Sequence, residues 1–159
     1  MEQVICKATN KPLITNKKQF WDLYASGNNF LDYSLIGLDL SGENFSGISL
    51  RGKNMAGTNL SYAILDDCDM SCSHFSGTNF GLAEMQNANM EFSFFDDAVF
   101  TEANMHRAWL MGSDFSNAVL DRANLSGVTG DVAVFDNASF IGSNTDGASF
   151  LIATGITPA

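Results

Sequence analysis

Large apolar residues recur along this chain at every fifth position. The series Phe30, Leu35, Leu40, Phe45, Leu50, Met55, Leu60, Leu65, Met70, Phe75, Phe80, Met85, Met90, Phe95, Phe100, Met105, Leu110, Phe115, Leu120, Leu125 runs for 20 consecutive steps without a polar residue. Gly130 and Thr145 interrupt it, and Phe135, Phe140 and Phe150 keep the phase. Two residues before the large one stands a small one, often Ala, as at Ala63, Ala83, Ala98, Ala103 and Ala123. A polar residue, often Asn, comes just before it (Asn44, Asn59, Asn79, Asn104, Asn124), and Gly recurs two residues after it.

A period of five is neither helical nor that of a simple strand. It fits a chain that makes a short extended side and then turns a corner. Residues two apart on an extended side point the same way, so the large residue and the small one before it face inward. The residue between them and the two corner residues face out. Four such sides close a coil of about 20 residues, and coils stack at ~4.8 Å. Six coils between Phe30 and Phe150 make a solenoid roughly 29 Å tall. Corner glycines such as Gly37, Gly42, Gly47, Gly52 and Gly57 supply the positive φ of type II turns. Later corners carry Tyr62, Asp67, Leu82, Phe92 and Arg107 instead, which predicts a different turn geometry in the middle of the molecule.

Ala123-Asn124-Leu125-Ser126-Gly127 and Ala103-Asn104-Met105-His106-Arg107 resemble the repeat of the pentapeptide-repeat proteins. The resemblance covers about residues 28–150. It implies an all-β fold, a right-handed quadrilateral β-helix, and leaves the task open, since this fold serves many. The expected organisation is an N-terminal cap over 1–27, the β-helix over 28–150 and a C-terminal tail over 151–159.

Open coil ends expose backbone groups and need covers. Val4-Ile5-Cys6 suits a short strand. Thr15 or Asn16 suits the cap of a helix over Lys17–Ser26, ended by Gly27. Phe20, Leu23 and Tyr24 have helical spacing, and Trp21 adds apolar bulk. Lys17 and Lys18 stand at the unfavourable end of that helix. Leu151 to Ala159 is too short for a comparable cover, so a partner chain or a second copy is expected there.

Composition sharpens this picture. The net charge is −10 over 159 residues. Residues 1–26 carry +2 and the remainder −12. So acidic a body is unsuited to gripping nucleic-acid phosphates. Apolar residues at 45% exclude a disordered acidic tail. No stretch approaches the length of a membrane helix. Met1 to Lys18 has four lysines but no long apolar core, so no secretory signal is expected. Three cysteines, Cys6, Cys68 and Cys72, make no disulfide framework and favour a reducing compartment, cytoplasmic or within an assembly.

Candidate chemistry is sparse. There is no P-loop, dinucleotide fingerprint, CxxC or HExxH. Cys68, Cys72 and His74 offer three donors at loose spacing, short of the usual four of a structural zinc site. Cys68 falls on an inward position and Cys72 on a corner. His74 and His106, the only histidines, fall on different sides. No enzyme, metal or cofactor is expected.

The outward positions carry two signals. Phe92, Phe94, Trp109 and Met111 place apolar bulk where polar residues are expected, flanking inward Leu110. Val99 and Val119 add to it on the next side. Such density points to a protein interface. Asp96, Asp97, Asp114 and Asp136 share the side of Leu35 and Phe95. The first signal suggests a non-catalytic interaction or structural module within a larger assembly, with a protein partner, no direct nucleic acid and no membrane. The second suggests an acidic DNA mimic, and the resemblance implies that some relatives bind DNA gyrase that way.

Overall fold

The computed structural model describes residues 5–6, 11–30 and 33–155. Over most of its length the chain turns every five residues and pairs in parallel with itself 20 residues on: Asn59 with Asn79, Asn79 with Val99, Val99 with Val119. Each 20-residue coil thus has four sides. Side 1 presents Leu35, Met55, Phe75, Phe95, Phe115 and Phe135 to the interior, and side 2 presents Leu40, Leu60, Phe80, Phe100, Leu120 and Phe140. Side 3 carries Phe45, Leu65, Met85, Met105 and Leu125, and side 4 carries Phe30, Leu50, Met70, Met90, Leu110 and Phe150. From Leu35 to Phe135 the large inward residues are buried, and so is Gly130 where the series lacks one. So are nearly all the alanines two residues before them.

Three residues of each side lie between turns and only the middle one pairs, so pairing takes the form of single bridges. The hydrogen bonds are regular nonetheless. Leu60 N–H donates up to Asn79 O at 2.7 Å, Tyr62 N–H to Gly81 O at 3.0 Å, and Asn79 N–H back to Thr58 O at 3.0 Å. Each corner closes on itself as well, as where Ala98 N–H donates to Phe95 O at 3.1 Å.

The corners do not differ in the way expected from their residues. Tyr62, Asp67, Leu82, Phe92 and Arg107 all take φ between 55° and 59°, close to the 64–70° of glycines such as Gly57, Gly77 and Gly42. The amide of each of these residues donates to the coil above, and that ladder fixes the corner direction. The left-handed conformation costs a residue with a Cβ about 1–2 kcal/mol, which the ladder and the core offset.

The interior is zoned. Phenylalanines stack along side 1, with centroids 5.5 Å apart for Phe75–Phe95, 4.9 Å for Phe95–Phe115 and 5.2 Å for Phe115–Phe135. On side 2, Phe80 stacks on Phe100 at 4.8 Å. Sides 3 and 4 are filled in their middle coils by Leu and Met. A column of buried serines, Ser73, Ser93 and Ser113, runs beside side 1. Each hydroxyl donates to a carbonyl of the coil below: Leu50, Met70 and Met90. Each also accepts an amide from the coil below. These hydroxyls are satisfied structural groups. At Gly130, where the apolar series breaks, the Phe150 ring fills the space. A Cβ on Gly130 would meet that ring at 2.7 Å.

The N-terminal segment closes the first coil. Strands β1 (Ile5–Cys6) and β2 (Lys11–Pro12) pair antiparallel; Val4 lies outside the described residues. Leu13 bridges Ser34. Helix α1 (Lys17–Ala25) starts at Asn16, whose side chain accepts from Gln19 N–H at 2.9 Å. Gln19 Oε1 accepts in turn from Thr15 N–H at 3.1 Å. Phe20 is fully buried, stacked on Phe30 at 4.7 Å and edge-on to Phe45 at 5.7 Å.

At the opposite end the ladder of the described residues stops at the last coil. Arg122, Leu125, Gly127, Gly130 and Val132 donate their amides to the last coil. For their counterparts Gly142, Thr145, Gly147, Phe150 and Ile152 no coil lies above among the described residues. The ladder runs on to a bridge between Val134 and Thr154, past residue 150; residues 156–159 lie outside the described set.

Candidate interaction surfaces

Trp109 lies on side 4 between its bridge partners Asn89 and Thr129. It is 51% exposed while Leu110 beside it is fully buried, as the five-residue period requires. Phe92 stands on the corner between sides 4 and 1, 54% exposed. Its ring leans over the next coil, where a Cβ on Gly112 would meet it at 2.8 Å. Glycine at 112 therefore gives this aromatic a seat. Phe94, on side 1, stacks on His74 at 4.7 Å and 8°. Met111 is half-buried. The four residues wrap one edge of the solenoid, but Phe92, Phe94 and Trp109 form no ring pair with one another.

The acidic residues fall on the other flank of side 1. Asp96 and Asp97 occupy its corner with side 2. Asp136 occupies the same corner two coils on, about 10 Å away. Asp114 lies on side 1 itself. Asp96 accepts from the Ser76 hydroxyl at 2.7 Å. Asp114 accepts from the Ser116 amide and hydroxyl at 2.9 and 2.6 Å.

His74 is on side 1, and His106 is on the corner between sides 3 and 4, bonded to Ser126 at 2.8 Å. Cys68 is fully buried, and burial pushes its thiol up to about 12, far from a reactive thiolate. Cys72 is exposed. Among the described residues no three His, Cys, Asp or Glu side chains converge as a metal site. No helix there is long and apolar enough to cross a membrane.

The family model "Pentapeptide repeats" matches this chain in 8 copies, over residues 39–77, 49–85, 78–117 and 100–129. The chain belongs to the pentapeptide repeat family. Among curated proteins none matches it. Similar solved pentapeptide repeat structures include HetL from the cyanobacterium Nostoc sp. strain PCC 7120, involved in heterocyst differentiation regulation. HetL has a TM-score of 0.59 and 22% identity, over 79% of this chain and 67% of its own. A trypsin-treated variant of QnrB1, a plasmid-mediated fluoroquinolone resistance protein, has a TM-score of 0.61 and 16% identity, over 74% and 70%. The Nostoc PCC 7120 protein alr5209 has a TM-score of 0.53 and 18% identity, over 83% and 97%. At these identities the likeness is one of fold, an all-β repeat solenoid.

One surface escaped the sequence reading. Tyr62 and Leu82, 65% and 43% exposed, share the corner between sides 2 and 3. Ile64 flanks them at 38%. The signal was the step of 20 that puts 62 and 82 in one column; read singly, each was only an exception to a glycine rule.

Proposed function

We propose that this pentapeptide repeat protein is a non-catalytic protein–protein interaction or structural module, a subunit of or adaptor in a larger assembly. The observation that carries the reading is the edge bearing Phe92, Phe94 and Trp109, each about half exposed, with Met111 beside them. Large rings left in water at one edge suit a partner that covers them. The reading includes a coil that winds right-handed as a square β-helix, and a reducing compartment. It also includes self-association through the open last coil, where Ile141, Leu151 and Ile152 are 71%, 67% and 85% exposed. Site-specific photocrosslinking from position 109 in the native host tests the docking edge. A discrete adduct that Phe92→Ser abolishes supports it; no adduct, or one indifferent to Phe92, rejects it. Sedimentation of the wild type and Ile152→Asp tests self-association separately.

The second reading is an acidic DNA-mimicking binder of a type II topoisomerase such as DNA gyrase. It is favoured by Asp96, Asp97 and Asp136 lining one corner with Asp114 beside them, on a body of charge −10. A supercoiling assay at two salt concentrations decides it. Inhibition that fades with salt and with the four Asp→Asn changes supports mimicry. No effect at large excess leaves the docking reading alone.

A further inference from the structure

The corner between sides 2 and 3 carries a recess of about 260 Å³, lined by Ser61, Tyr62, Asn79, Gly81, Leu82, Val99, Thr101 and Glu102. Three features bear on it. Gly81 holds the first of the two corner positions, where no other described corner has glycine. Its φ lies outside the left-handed region, so the backbone does not demand glycine there. What the missing side chain provides is room, and a Cβ would sit 3.1 Å from Asn79 Oδ1. Second, Tyr62 and Leu82 combine a left-handed φ of 59° with an exposed apolar side chain, as Phe92, Val132 and Ile152 do on the opposite corner. Glycine or a polar residue fits such a corner better, as at most other corners. Third, carboxylates stand on and beside it. Glu102 lines the recess, and Asp97, outside the lining, stands two residues before Val99 at the far edge of side 2. Arg122 Nε and Nη2 both bond Glu102 Oε1, at 2.9 and 2.8 Å, which leaves Oε2 for a further cation.

We propose that this recess is a second docking site, for a protein segment that places an aliphatic side chain between Lys or Arg residues. The apolar side chain would fill the space over Gly81 against Tyr62, Leu82 and Val99. The flanking cations would meet Asp97 and Glu102, the complementarity that confers specificity on such contacts. The site lies two corners round the coil from the Phe92 edge, so a partner here leaves that edge free. It does not depend on the docking reading above.

The test uses the full chain, isotope-labelled, titrated with acetyl-Lys-Leu-Lys-Leu-Lys-amide and with its Glu-for-Lys counterpart, and followed by amide chemical shifts. The expected result is saturable shifts confined to residues 61–64, 79–84 and 97–102, with binding at least tenfold weaker for the acidic peptide. Leu82→Asn and Gly81→Ser should abolish them without lowering the melting temperature, since both residues are native to equivalent corners. Trp109→Ala should change nothing. The proposal is overturned if millimolar peptide gives no saturable shift. It is equally overturned if the shifts follow carboxylates over the whole surface and persist in Leu82→Asn.

Discussion

The two ends of this solenoid meet the same problem in opposite ways. A coil end presents a ring of apolar side chains and a row of unpaired amides and carbonyls. At the N-terminal end α1 lays Phe20 onto Phe30 and Phe45. Trp21 stacks on Phe45 at 5.1 Å and donates to Glu43 Oε2 at 2.7 Å. Lys17 reaches the same carboxylate at 2.9 Å. At the other end Phe140 and Phe150 are only half-buried, Thr145 replaces the apolar residue of side 3, and five amides have no partner among the described residues. In a one-dimensional array each coil is stabilised by its neighbours. A closed end therefore counts as a neighbour, and an open end is where unfolding starts.

That comparison can be broken most severely in the middle, where it should not apply. Phe95 is fully buried between Phe75 and Phe115, and Phe95→Ala should cost about 3–5 kcal/mol in denaturant unfolding. Phe20→Ala at the closed end should cost about 3 kcal/mol, because the helix loses its one fully buried side chain. The matching change at the open end, Phe150→Ala, should cost about 1 kcal/mol, since that ring is half in water already. A loss at Phe150 equal to that at Phe20 would show that the last coil is covered in solution. Asn16→Ala should cost about 1 kcal/mol through the lost cap. Amide exchange should be slowest in the middle coils and fastest in the last.

The smallest effect is in acid. The hydrogen bond from Lys17 holds the Glu43 carboxyl below the usual glutamate range, against an opposing effect of burial, with Trp21 helping. A carboxyl lowered by folding stabilises the native state above its unfolded value, and that contribution disappears as pH falls through the folded value. The cap should therefore loosen only below the ordinary glutamate range. Trp21 fluorescence in a Trp109→Phe background would report the loosening, and Glu43→Gln should flatten the profile.

Much of this was legible in the sequence because the core is written one column at a time. A five-residue phase names the inward residue wherever it is read, so the coil, its sides and the buried alanines follow from local text. Asn16 and Phe20 were legible because capping and helical spacing are local too. The corners were not. Residue preference at Tyr62 or Phe92 argues for another turn, but the hydrogen bonds of the neighbouring coils, 20 residues away, decide. Glu43 falls on a position two before Phe45 that elsewhere holds a small residue, and its sequence neighbours give no reason for it. Its partners Lys17 and Trp21 belong to another element. Gly130 reads as a gap, and the ring that fills it comes from the coil above. Tyr62 and Leu82 were hidden for the same reason, since their meeting is a fact about columns.

The five-residue side has one more consequence, for how such a protein can be rebuilt. Inserting one extra pentapeptide leaves every inward residue inward. It also rotates all that follows by a quarter turn and lifts it by only about 1.2 Å, a quarter of the coil spacing. Placed between Leu82 and Phe92, it would swing the Phe92 edge from the corner opposite Tyr62 and Leu82 to an adjacent one, and would carry Val99, Thr101 and Glu102 round with it. Four insertions would restore the angle and move the Phe92 edge one coil away from Tyr62 and Leu82. The chain behaves as an indexing screw, on which angle and height between two surface features are set by counting residues in fives.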